Sequence, residues 1–222
     1  MANISSTTRP AHLQHHFVDS DQQFDSAKLG MWVFLVTEIL FFGGLFAAYV
    51  IYRSWYPDLY IQASELLNTT WGAINTVVLI GSSLTVAMAI RSAQTNNNRG
   101  VYINMMITLA LAVVFMVIKY FEYTHKFHLG IFPGGNFAPT GEAAEILTHP
   151  KANIFFSIYY MMTGLHGIHV VIGIGLMIWL AVKAKNNAFS AEYYTPVEVV
   201  GLYWHLVDII WIFLFPLLYL ID

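Results

Sequence analysis

Seven ionisable side chains interrupt apolar stretches of this 222-residue sequence: Glu38, Lys119, Glu122, His166, His169, His205 and Asp208. An ionisable group at membrane depth costs a few kcal/mol or more, so each must face protein, water or a partner. In the run Thr163-Gly164-Leu165-His166-Gly167-Ile168-His169-Val170-Val171-Ile172-Gly173, helical periodicity puts His166, His169 and Gly173 on one face, with both imidazoles pointing the same way. Trp204, Asp208 and Trp211 form a second stripe, with His205 one turn from Asp208. Neutral imidazole is the commonest metal ligand and a carboxylate can orient it, so His166, His169, His205 and Asp208 could hold a metal or a haem. The alternative needs the same residue types: a carboxylate–imidazole network that joins helices, with the glycines allowing close approach. A di-iron site would need more clustered histidines than His125, His128 and His149 supply, and His12, His15 and His16 read as solvated.

Glu38 stands in the middle of an apolar run, and no basic residue of its own helix can reach it. Its carboxyl is expected to be protonated, or hydrogen-bonded across a helix interface. Two roles remain open, a proton-exchanging or subunit-contacting carboxylate and a neutral acid bonded within the bundle. Gly43, Gly44, Ala47 and Ala48 nearby favour a packed neighbourhood over a lipid-facing one. Lys119 and Glu122, three residues apart, share a helix face and read as a structural ion pair, with proton conduction as the other reading.

The elements that carry these residues follow from composition. Hydrophobic residues make up 57% of the chain and charged residues 10%, against roughly 25% charged in an average soluble domain. Mean hydropathy is +0.59. More apolar material is present than one core can bury, which predicts an all-α integral membrane bundle. Charge-free stretches near the roughly twenty residues that cross hydrocarbon number five, at about 30–52, 71–90, 101–118, within 151–183, and at about 199–221. The fourth interval is long enough to require tilt or extramembrane turns. A net charge of -3 without a basic block excludes nucleic acid as a partner. The absence of cysteine excludes disulfides, thiolate metal sites and a cysteine nucleophile.

Five spans place the termini on opposite sides. Arg9, Lys28, Arg91, Arg99, Lys183 and Lys185 fall on the N-terminal side, and Arg53, Lys126 and Lys151 on the other, which predicts a cytoplasmic N-terminus. Residues 1–28 read as a polar cytoplasmic arm without the apolar core of a signal peptide, and 29–222 as one membrane domain. The stretch from Tyr123 to Pro150, with Pro133, Gly134, Gly135, Pro139 and Gly141, is expected to be an irregular cap on the outer side.

Taken together, Gly30-Met31 with Thr37-Glu38-Ile39-Leu40-Phe41-Phe42, Asn75-Thr76 with Ser82-Ser83-Leu84-Thr85, Thr163 to Val170, and Tyr203-Trp204-His205-Leu206-Val207-Asp208-Ile209-Ile210-Trp211 form a known pattern. Lys119 to Tyr123 adds a weaker match. The chain resembles subunit III of the haem–copper terminal oxidases, in the same order and over essentially everything after Lys28. The resemblance implies a non-catalytic subunit that binds no haem or copper, packs against catalytic subunit I, holds phospholipid and supports proton uptake. It implies haem and copper in partner subunits, with subunit II and a small subunit IV as further neighbours. Glu38 matches the family's buried glutamate beside subunit I, and His166, His169 and His205 become helix–helix contacts instead of ligands. The mitochondrial form has two further helices and a lipid-filled cleft against them. This sequence has no counterpart of the two, so a complete cleft would need a wall from another subunit. The short form resembles that of many bacterial oxidases, which implies a bacterial plasma membrane. The rival reading is a self-sufficient membrane redox enzyme with a His-ligated haem or metal.

Overall fold

The first helix starts well before the apolar run does. Asp19 caps it by accepting from the Gln22 amide at 2.7 Å, and helix α1 runs Ser20–Trp55. Its polar first turns are anchored by charge, with Lys28 Nζ 3.1 Å from Glu198 at the start of the last helix. The computed structural model describes residues 13–134 and 137–221; Gly135 and His12 lie outside them. Helix α2 is Pro57–Glu65, α3 Thr69–Gln94, α4 Asn98–His128, α5 Glu142–Ile146, α6 Ala152–Lys185 and α7 Thr195–Tyr219. Five of these, α1, α3, α4, α6 and α7, are long and apolar enough to cross a membrane. At roughly 1.5 Å per residue α1 and α6 exceed about 50 Å, so both project beyond about 30 Å of hydrocarbon.

Helix α7 is the hub, packed on α3, α6 and α1, while α4 closes the bundle against α3 and α6. Trp204 and Trp211 of α7 are fully buried, and their indole N–H groups donate across to α3, to Ser82 Oγ at 2.9 Å and Thr76 Oγ1 at 3.1 Å. A Cβ at Gly173 would stand 2.5 Å from the Trp204 ring, so the indole approaches α6 this closely only because that position has no side chain.

Three expectations are corrected. Helix α4 does not stop near Lys119 but continues to His128, because Glu122 is bonded by Lys126 one turn on, and this charge pairing carries the helix past its apolar run. The irregular cap therefore begins at Leu129 and contains α5. It turns at Gly130, whose φ of +70° and whose approach to the Ala138 carbonyl admit no side chain. The short amphipathic helix α2 was not expected at all; its Tyr60 ring packs edge-on to Tyr49 and Phe155. Lastly, Gly43 and Gly44 face outward with open space beside them, while Phe42 and Tyr49 form the buried stripe of α1.

Candidate functional site

The sequence-predicted polar residues fall into three separate groups. The largest is centred on Glu122, which has 7% side-chain exposure. Lys119 Nζ donates to its Oε2 at 2.8 Å; Lys126 Nζ, Tyr159 OH and Tyr219 OH donate to its Oε1 at 2.7, 2.9 and 2.5 Å. Lys119 also donates to Tyr219 OH at 2.9 Å and lies over the Trp211 ring at 5.0 Å from its centroid. One carboxylate thus joins α4, α6 and α7. Lys119 and Glu122 pair across one helix face, and Lys126, 1% exposed, lies on α4 and not in the irregular stretch that the sequence predicts from Tyr123. Its spacing of four from Glu122 was the available signal; nothing local pointed to Tyr159 or Tyr219.

The second group lies between α1 and α6. Glu38 Oε2 is 3.1 Å from His169 Nε2, with side-chain exposures of 16% and 12%. His169 Nδ1 is 2.9 Å from the Leu165 carbonyl, an acceptor, so Nδ1 carries the hydrogen. Nε2 and Glu38 then share one proton: either a protonated carboxyl donates to neutral imidazole, or imidazolium donates to carboxylate. The carboxylate–imidazole contact expected from spacing exists, but its carboxylate is Glu38 and not Asp208. Tyr203 OH fixes the local backbone by donating to the His169 carbonyl at 3.0 Å.

The third group lies between α3 and α7. His205 Nδ1 is 2.6 Å from Ser83 Oγ and makes no bond to Asp208. Asp208, 2% exposed, has the hydroxyls of Ser82 and Ser83 as neighbours but among the described residues makes no hydrogen bond of good geometry. Asn75 is buried on the facing helix, and among the described residues neither of its amide atoms has a hydrogen-bond partner. His166 is turned elsewhere, its Nε2 donating to the Val207 carbonyl at 3.1 Å and its ring against Trp211 and Phe115. The three histidines therefore do not converge, and among the described residues no three His, Asp or Glu side chains form a metal-ligating cluster. The geometry gives no support to a His-ligated haem or metal centre, and the chemistry on offer is proton sharing and helix joining.

Fold and site together define a multi-pass membrane protein whose buried charges bind its own helices to one another. The family described as cytochrome c oxidase subunit III matches residues 13–141 and 146–222, and the chain belongs to that family. Its relatives include cytochrome c oxidase subunit 3 of Synechocystis sp., 30% identical over 99% of this chain and 84% of the relative. Quinol oxidase subunit 3 of Bacillus spizizenii is 28% identical over 94% of this chain and 96% of the relative. The haem–copper oxidase subunit I+III of Aeropyrum pernix is 26% identical over 99% of this chain and 25% of that longer protein.

Proposed function

We propose that this chain works as the non-catalytic subunit III of a proton-pumping haem–copper terminal oxidase, seated against subunit I and supporting proton delivery to it. The observation that carries the partner is the Aeropyrum pernix relative, whose name joins subunits I and III in one polypeptide and to which almost all of this chain aligns. The chain presents a face suited to such a neighbour. Helix α1 exposes Trp32, Val33, Leu40 and Phe41, and Gly43 and Gly44 lie on its open surface. Small residues admit close helix approach where no water-driven force operates between helices. On this reading haem and copper reside in partner subunits, subunit II and a small subunit IV complete the neighbourhood, and phospholipid fills what another subunit does not. The electron donor, cytochrome c or quinol, meets the complex elsewhere. The test is purification of a tagged chain in mild detergent. A haem-bearing subunit I should copurify in equal amount, and recovery of the chain alone from active membranes would overturn the proposal.

The proposed setting is a bacterial plasma membrane, with residues 1–28 as a cytoplasmic arm ahead of the membrane domain 29–222 and the C-terminus outside. The asymmetry of Lys and Arg supports this orientation. Single cysteines placed at Ser26 and Glu145, both exposed and at opposite ends of the bundle, should react with an impermeant maleimide from opposite faces of sealed vesicles. In right-side-out vesicles Glu145→Cys reacts first; labelling of Ser26→Cys instead would invert the topology.

A further inference from the structure

Helix α7 has an incomplete ring of crossing helices around it. Helices α1, α6 and α3 pack on it, α1 packs on α6, and α4 joins α6 to α3. The ring therefore runs α1, α6, α4, α3 and stays open between α1 and α3, which make no packing contact among the described residues. The side of α7 in that opening is uncovered: Ile209 and Phe213 are 49% and 58% exposed, with Phe213 edge-on to Phe46 of α1. On the α3 wall, Ile80 is 52% exposed between Ala73 and Ala87, both exposed and one heptad away on the same face. Small residues on such a wall admit close approach of another helix.

One polar group interrupts this apolar opening. His205 lies half-buried near the middle of α7, one turn before Ile209 on the same side, and its Nδ1 is 2.6 Å from Ser83 Oγ near the middle of α3. Among the described residues its Nε2 makes no hydrogen bond, and unlike His166 Nδ1 it is not sealed inside the bundle. Acyl chains cannot pair it, and a polar group left unpaired at mid-membrane is costly. Histidines at such positions hydrogen-bond across helices.

We infer that the opening between α1 and α3 seats a membrane-spanning helix of another polypeptide in the complex, which brings a hydroxyl or carboxamide side chain to His205 Nε2. Both groups donate and accept, so they suit either tautomer that the Ser83 bond selects. Neither adds a charge at membrane depth. The inference rests on the proposed membership of an oxidase complex, and adds the face, the depth and the residue at which a partner helix is held.

The test places a diazirine-bearing aliphatic residue at Ile209 in the intact, purified complex. Irradiation should join it to one membrane-spanning peptide of another polypeptide, with Ser, Thr, Asn or Gln within about one turn of the crosslink. The same probe at Val113, 51% exposed on α4 on the far side of the ring, should not label that peptide. His205→Leu should speed release of the partner in detergent about threefold to tenfold, the range for one hydrogen bond between membrane helices, and His205→Gln should recover most of the loss. Crosslinks confined to lipid, to a second copy of this chain, or to a helix without such a polar residue would overturn the inference, as would an unchanged release rate in His205→Leu. Each of these outcomes leaves the subunit assignment standing if the complex is complete. Recovery of the chain without any partner would overturn that assignment and this inference with it.

Discussion

Replacing Glu122 by Gln should destabilise the protein by about 3–5 kcal/mol, the usual cost of removing one partner from a buried ion pair. The reason is the charge count around that carboxylate. Lys119 and Lys126 both donate to it from within the bundle, with side-chain exposures of 9% and 1%, so the amide would leave two ammonium groups without a counter-ion. One amide oxygen would also replace two carboxylate oxygens that accept from four donors on α4, α6 and α7, loosening α4 from α6 and α7 together. Lys126→Met is the matched control, since it keeps the Lys119–Glu122 pair and removes one charged hydrogen bond, about 1.5–3 kcal/mol. The measurement is the apparent thermal midpoint of the purified complex, with the yield of assembled subunit. Glu122→Gln should lie clearly below Lys126→Met, and a midpoint equal to that of the unsubstituted protein would remove Glu122 from its central place.

Glu38→Gln should leave assembly intact and depress oxygen consumption several-fold at alkaline pH, with little effect at neutral pH. Gln keeps the shape and can donate to His169 Nε2, so the α1–α6 contact survives, but the side chain no longer takes up or releases a proton. If the pair feeds protons toward subunit I, the loss appears where protons are scarce. His169→Asn should share the alkaline phenotype, since Nε2 is the other half of the shared proton. Glu38→Ala should be harsher at every pH, through the cavity and the unpaired imidazole it leaves. Turnover across pH, with assembly checked by copurification, decides the matter. A flat ratio of Gln variant to unsubstituted enzyme would make Glu38 a helix-joining group alone.

What the sequence made legible follows the range of the interactions. Five apolar runs gave five crossing helices, because hydropathy over roughly twenty residues is a local property. The Lys119–Glu122 pair was equally local, three residues apart on one face. Lys126 was misplaced because the apolar run ends at Ile118, while the helix beyond it is held by ion pairing that hydropathy does not register. The partner of Glu38 lies 131 residues away, and nothing in the spacing of His166, His169, His205 and Asp208 distinguishes a joined helix pair from a ligand set until the helices are packed. Glycines carried the same ambiguity. Gly173 lies under Trp204, whereas Gly43 and Gly44 face outward, and only the rotation of each helix about its axis decides between those fates.

As a subunit III, this chain should act through a partner and hold no redox centre itself. The direct measurement is haem and metal content after separation: the complex is purified, this subunit is stripped from it in stronger detergent, and both fractions are assayed by absorption spectroscopy and elemental analysis. The Soret absorbance, the iron and the copper should stay with the remaining subunits, with none in stoichiometric amount on this chain. A Soret band or a metal at one equivalent on the separated chain would contradict it.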